Sequence, residues 1–175
     1  MKVQTKYIKM KNLILSITAL FITLSVSSQT IVDAAASNKD FSTLVTALKA
    51  ADLVGALSGE GPFTVFAPNN DAFGKIDSET LGSLLKPENV EALSNILTYH
   101  VVSGKLMASD VTKALKDGYG RVKLTALNGQ TFVARSKGGK IFLKDQNGDM
   151  SEVIATDVVG TNGVIHVIDS VIMPE

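Results

Sequence analysis

Apolar residues in the first half of the chain recur at helical spacing. The residues Phe41, Leu44, Val45 and Leu48 occupy positions i, i+3, i+4 and i+7, which predicts one amphipathic helix. Asp40 or Ser37 supplies its N-cap, and the helix is expected to end by Gly59 or Gly61. Shorter helices are predicted over 70–76 and 78–85, with Asp77 as an N-cap. A longer one follows Pro87, with its apolar face at Val90, Leu93, Ile96 and Leu97.

The second half of the chain has the patterning of β-strands. Five strand-like runs cover 122–127, 130–136, 140–146, 152–159 and 164–173. They are separated by Asn128-Gly129, Gly138-Gly139, Asn147-Gly148 and Asn162-Gly163. Asn-Gly favours a tight hairpin turn with positive φ, so we expect positive φ at Gly129, Gly148 and Gly163. An earlier apolar run, Phe63 to Ala67, stops at Pro68 and is expected to join the later sheet. Helices followed by strands predict an α+β domain with a mainly antiparallel sheet and no internal repeat.

The N-terminus has the pattern of a secretory signal peptide. Four lysines precede an uncharged, mostly apolar run from Leu13 to Val26, and small residues follow. The run is shorter than the roughly 20 residues that span a membrane, so residues 1–28 are interpreted as a peptide cleaved after Ser28. The alternatives are cleavage after the alanines at 34–36, a start at Met10, and an uncleaved anchor. Residues 29–39 are interpreted as a mobile leader, and 40–175 as one domain, secreted or periplasmic.

Charge and cysteine content restrict the function classes. Removal of residues 1–28 leaves 13 basic and 17 acidic residues, a net charge of −4. The basic residues are scattered along the chain, which predicts no electrostatic footprint for nucleic acid or an anionic membrane. With no cysteine, the domain has no disulfides and depends on its core for stability.

The two histidines, His100 and His166, are the candidates for chemistry. With Asp71, Asp157 or Asp169 they could form a metal site or a general base. Both lie between apolar residues, however, and lack the i, i+4 spacing of a helical zinc site. The run from Asp145 to Asp149 does not match a calcium-binding loop, because its glycine is at the fourth position. We therefore expect architectural histidines and no catalytic residue, metal or cofactor.

Three ordered motifs resemble the fasciclin domain family. The first, from Gly61 to Phe73, contains a Thr-x-Phe-Ala-Pro-x-Asn-x-Ala-Phe pattern that is met by Thr64, Phe66, Ala67, Pro68, Asn70, Ala72 and Phe73. Asn69 replaces the usual hydroxyl residue, but its side chain can also cap a helix. The second motif is Leu97 to Leu106, and the third is Asn162 to Asp169 followed by Pro174. The resemblance covers about Asp40 to the end of the chain.

This resemblance implies both a fold and a mode of action. The fold is a β-wedge of mainly antiparallel strands flanked by helices from the N-terminal half. Animal members of the family are adhesion proteins, with receptor binding linked to a Tyr-His region and to an Asp-Ile pair before the last motif. Tyr99 and His100 match the first. Asp157 matches the second in position, whereas Val158 replaces isoleucine.

The sequence therefore predicts a secreted, non-catalytic adhesion or matrix-interaction module. Its expected partner is an extracellular protein or a surface polysaccharide, bound through Asp157, Val158, Tyr99 and His100. A periplasmic or extracellular carrier of a small ligand is the main alternative, and it would need an apolar cavity. A hydrolase that uses His100 or His166 is a more remote one.

Overall fold

The computed structural model describes residues 29–175, so the predicted signal peptide, 1–28, and its alternative as an anchor lie outside the described residues. One mixed sheet runs through the domain. Its strands are β1 (Phe63–Pro68), β2 (Val101–Ser103), β3 (Arg121–Thr125), β4 (Thr131–Lys137), β5 (Lys140–Lys144), β6 (Met150–Gly160) and β7 (Gly163–Ile168).

The sheet has the order β2-β1-β7-β6-β5-β4-β3. β1 and β7 are parallel, and every other neighbouring pair is antiparallel. The two outer strands also approach each other, through an antiparallel bridge between Val102 and Ala126. This curved arrangement confirms the predicted α+β wedge, including the assignment of the run at Phe63 to the sheet. The parallel pairing brings the first and last family-like motifs side by side.

Helices occupy most of the chain before β3. They are α1 (Ile31–Ala36), α2 (Ser42–Ala50), α3 (Val54–Ser58), α4 (Asn70–Gly74), α5 (Ser78–Leu84), α6 (Val90–Tyr99) and α7 (Ala108–Asp117), with short 3-10 turns at Lys39–Phe41 and Pro87–Asn89. The helix predicted from Asp40 to Gly59 is thus two helices. The chain leaves α2 through Asp52, whose φ of 54° is incompatible with a continuous helix.

Two apolar clusters fill the interior on either side of the sheet. One joins α1, α2, α3 and α6 to β1 and β7, with Phe41, Leu48 and Ile165 among its buried residues. The other lies between α7 and strands β3 to β5, and it includes Phe132 and Leu143. Helices therefore cover one side of the parallel pair, whereas α7 covers the inner side of the hairpins.

The interpretation of residues 29–39 as a mobile leader is wrong for Ile31–Ala36, because these residues form the helix α1. Ile31, Val32 and Ala35 are buried in the first cluster. Thr30 and Asp33 form a capping box at the start of this helix. Burial of three apolar side chains outweighs the low intrinsic stability of a six-residue helix. The folded unit therefore begins before Asp40.

The hairpin prediction is confirmed at two of its three glycines. Gly129 and Gly148 have φ values of 83° and 96° in the β3–β4 and β5–β6 turns. Gly163 is not among the residues with positive φ, so its prediction is wrong. The turn consists of Thr161 and Asn162, and Gly163 is already the first residue of β7, paired with Gly160.

Asn162 connects three parts of the fold through its side chain. Its Oδ1 accepts the N–H of Ile31 at 2.9 Å. Its Nδ2 donates to the carbonyl oxygens of Leu57 at 2.8 Å and Gly59 at 2.9 Å. The β6–β7 turn is thereby joined to the start of α1 and the end of α3.

We expect Asn162→Ala to lower the free energy of unfolding by about 2 kcal/mol, since three backbone groups lose their partner and two of these hydrogen bonds are partly buried. Urea unfolding of the purified protein measures the change. Asn147→Ala is the matched control, because Asn147 also precedes a glycine in an exposed turn and its side chain makes no hydrogen bond within residues 29–175. Equal stability of the two variants would contradict the prediction.

Candidate partner-binding site

His100 is fully engaged inside the domain. It follows α6, and only 2% of its surface is exposed. Its Nδ1 lies 2.8 Å from the carbonyl oxygen of Ile96, so this nitrogen carries the proton and donates it. Its Nε2 accepts the N–H of Ile172 at 3.1 Å. Burial lowers the pKa of His100 to about 4, against a smaller opposing effect of the Ile96 carbonyl, so the ring is neutral near pH 7.

His166 forms the same kind of connection elsewhere in the fold. It points from β7, and it is as deeply buried as His100. Its Nε2 donates to the carbonyl oxygen of Leu106 at 2.7 Å. Its Nδ1 accepts the N–H of Asp157 at 3.3 Å. Each histidine thus joins two segments that are distant in sequence, which confirms the architectural interpretation.

This geometry leaves neither ring free for chemistry on an external substrate. Both nitrogens of each ring are occupied by backbone groups, and no carboxylate in the described part of the chain is hydrogen-bonded to them. Asp157 Oδ1 instead accepts the N–H of Ala108 at 2.8 Å, and Asp169 binds Lys75 and the N–H of Glu152. Asp71 lies exposed in the first turn of α4. Within 29–175, no group of three or more histidine, cysteine or acidic residues is arranged to hold a metal ion.

Tyr99 is also part of the interior. Its ring has no exposed surface and packs edge-on against Phe132, with the ring centroids 5.5 Å apart. Its hydroxyl donates to the carbonyl oxygen of Thr131 at 3.0 Å. Burial, reinforced by the charge of Asp145, raises the pKa of this hydroxyl to about 12. The proposed contact of Tyr99 and His100 with a partner must therefore be corrected, because both side chains hold the core together.

Asp157 and Val158 lie in a different environment, on an irregular part of β6. The register of β6 against β7 shifts between Val153 and Ala155 and again between Ala155 and Val158. Asp157 has a φ of 61°, a left-handed conformation that aspartate tolerates better than most residues. Its carboxylate holds the start of α7 through Ala108. Both residues are exposed, and 39% of the surface of Val158 is accessible.

The exposed part of β6 is longer than this pair. All six residues over 154–159 are exposed, and three of them are large apolar side chains. Ile154 is 49% exposed and Val159 is 54% exposed. On its other side, β6 pairs with β5 only over Met150–Glu152, so this segment has no second strand neighbour within the described residues. We call residues 154–159 the β6 surface. Sequence alternation predicted the strand but not the exposure, which depends on where β5 ends.

The two enclosed apolar cavities are too small for a carrier site. Two apolar cavities, one beside His166 and one beneath α1, measure only about 10 and 20 Å³. Sites for small organic ligands usually enclose about 300 Å³ or more. A larger space of about 640 Å³ is bounded by Thr30, the loop from Ser58 to Pro62 and Asn162, but it is wide open to solvent.

Among residues 29–175, no helix has the length and apolarity to cross a membrane.

The motifs agree with the comparison to known proteins. The family model described as the fasciclin domain matches residues 39–174. The chain belongs to the fasciclin domain family. The fold agrees with this assignment. A solved FAS1 domain pair from the insect cell adhesion molecule fasciclin I aligns with a TM-score of 0.71 at 21% identity, over 81% of this chain and 50% of that one.

The chain is similar to curated proteins from bacteria and animals. Protein sll1483 of Synechocystis sp. is 50% identical over 148 residues, which are 85% of this chain and 75% of the relative. The immunogenic protein MPB70 of Mycobacterium bovis is 34% identical over 81% of this chain and 67% of its own length. Human periostin is 36% identical over 78% of this chain, but the match spans only 15% of periostin.

Proposed function

We propose that this protein is a non-catalytic adhesion module that binds an extracellular protein or surface polysaccharide through the β6 surface. The observation that carries the proposal is the run of six exposed residues over 154–159, which combines large apolar side chains with a strand side that has no neighbouring strand among residues 29–175. Exposed apolar surface of this kind is typical of interaction sites. Export of the mature chain, to the periplasm or the exterior, is part of the same proposal.

Family membership supports an adhesive role. The solved structure with the matching fold comes from a cell adhesion molecule, insect fasciclin I. Asp157, which matches the family segment linked to adhesion in position, and Val158, which replaces its isoleucine, lie at the centre of the β6 surface. The histidines support the non-catalytic part, because their ring nitrogens are all used by the backbone.

The test replaces the apolar side chains without disturbing the strand. In the variant Ile154→Thr/Val158→Thr/Val159→Thr, every position keeps a β-branched residue but loses apolar area. We expect attachment to cell-surface and matrix preparations to fall about tenfold or more, since each buried methyl or methylene group contributes about 0.8 kcal/mol. Adhesion of the labelled protein to fixed cells and to extracted matrix measures it.

Leu127→Thr is the control, because Leu127 is also exposed but lies in the segment after β3. Asp157→Asn tests the charge of Asp157 separately. Alanine is less suitable there, since loss of the bond to Ala108 would also lower stability by about 1 kcal/mol. Equal attachment by wild type and the triple variant would refute this surface, and absence of wild-type attachment would refute adhesion.

A further inference from the structure

The outward face of strands β3 to β5 is strongly cationic. Side chains alternate along these strands, and the inward ones, such as Phe132 and Leu143, are buried in the second cluster. The outward positions include Arg121 and Lys123 on β3, Arg135 and Lys137 on β4, and Lys140 and Lys144 on β5. We call these six residues the cationic face.

This face corrects the expectation that the basic residues are scattered. It holds six of the 13 basic residues found after residue 28, and no acidic residue occurs between Asp117 and Asp145. The remaining chain is therefore acidic, and the domain is strongly polarised despite its net charge of −4. The sequence alone does not reveal this cluster of basic residues, because the register of three strands is needed to bring the six side chains onto one side of the sheet.

The register places like charges next to each other. Arg121 is directly opposite Arg135, and Lys137 is directly opposite Lys140. Like charges in such positions destabilise a sheet. Lys140 is neutralised by Glu152 on β6, at 2.7 Å, whereas the other five cations form no ion pair with any described residue. Within residues 29–175, five of the six positive charges on this face therefore have no ion-pair partner.

One corner of the face also carries an aromatic ring. Tyr119 precedes β3 with a φ of 53° and is 96% exposed. Together with Arg121, Arg135 and Met150 it lines an open depression of about 360 Å³. A tyrosine ring in this position offers a flat apolar side for stacking and a hydroxyl for hydrogen bonding.

We propose that the cationic face binds a linear polysaccharide that carries carboxylate or sulfate groups. Neighbouring strands are about 4.8 Å apart, and alternate residues on one strand are about 6.8 Å apart, so the face presents a grid of positive charges to an extended polymer. Arginine and lysine bind such anionic oxygens through charge-assisted hydrogen bonds. Tyr119 can stack on a sugar ring at the edge of the grid.

Two other polyanions fit this face less well. Proteins that bind single-stranded nucleic acid on a sheet stack successive bases on exposed aromatic residues. Here the aromatic side chain within the grid is Phe142, which is partly buried between Arg135 and Glu152. Stable membrane binding adds insertion of apolar side chains to charge attraction, but Val133 at the centre of the grid is partly buried and the exposed Met150 lies at its edge.

Binding to immobilised dextran sulfate and polygalacturonate, with neutral dextran as a reference, tests the proposal. We expect the purified protein to bind both anionic polymers at low salt, and to be released at about 1 M salt, where the screening length falls to about 3 Å. The variant Arg121→Gln/Arg135→Gln/Lys137→Gln should bind both anionic polymers at least about tenfold more weakly than wild type. Its thermal unfolding should be unchanged or slightly improved, because it removes like-charge repulsion.

Lys39→Gln/Lys49→Gln/Lys86→Gln is the matched control. It removes the same charge from three exposed lysines in the helical layer and should keep full binding. The triple threonine variant of the β6 surface should also keep it, so failure of this inference and failure of the adhesion proposal are distinguishable. Equal loss in the two glutamine variants would overturn the site. Preferential binding to single-stranded DNA or phosphatidylglycerol vesicles would overturn the assignment to a polysaccharide.

Discussion

Gly163→Ala is expected to lower the free energy of unfolding by about 3 kcal/mol or more. A Cβ at this position would lie 2.2 Å from the carbonyl oxygen of Phe63 and 3.0 Å from its carbonyl carbon. These are backbone atoms of the parallel neighbour β1, which a change of rotamer cannot move. The β1–β7 pair would have to separate at its first residue, and this pair joins the two apolar clusters.

Gly82→Ala is the control for this prediction. Gly82 lies in α5, and a Cβ there meets no atom within 4 Å. Alanine is the better helix former, so the variant should be as stable as wild type or up to about 1 kcal/mol more stable. Chemical denaturation of wild type and the two variants, monitored by circular dichroism, measures their free energies of unfolding. A Gly163→Ala protein within about 0.5 kcal/mol of wild type would show that β1 and β7 are not as tightly apposed as described.

Gly163 also illustrates what the sequence could and could not predict. Asn-Gly is a strong turn signal, and it predicted the hairpins at Gly129 and Gly148 correctly because these turns depend on local conformation. At Gly163 the glycine is needed for another reason, the close approach of β1, whose Phe63 lies one hundred residues earlier. A single sequence contains no signal for that contact. The turn therefore lies one residue earlier than predicted.

Other differences also arise from tertiary contacts. The helix α1 is too short for a periodic pattern and is stabilised by burial of Ile31 and Val32. The helix α7 was not predicted, although Val111 and Leu115 occupy positions i and i+4 on its buried side. Asp157 and Val158 are exposed as a surface role requires, whereas Tyr99 and His100 are buried, because an apolar sequence context is the same for a core and for an adhesive surface.

The other large effect concerns acid, and it depends on His100. The pKa of this ring falls from the ordinary value of 6.5 to about 4 in the folded protein because it is buried, so the unfolded chain takes up the proton first as the pH falls. Above pH 6.5 both states are neutral and the group contributes no pH dependence. Between about 6.5 and about 4, the free energy of unfolding should decrease by up to 1.4 kcal/mol per pH unit, roughly 3 kcal/mol in all.

Carboxylates titrate near the lower end of this range, so the contribution of His100 must be isolated by difference. We expect His100→Gln to be less stable than wild type at pH 7, because glutamine cannot bind Ile96 and Ile172 with the same geometry. Its free energy of unfolding should nevertheless approach that of wild type as the pH falls to 4, since glutamine does not titrate. The measurement is urea unfolding of both proteins at several pH values. If the difference in the free energy of unfolding between the two proteins stays constant with pH, the His100 ring is not held neutral in the folded state. The connection from α6 to Ile172 then does not limit the stability of the domain in acid.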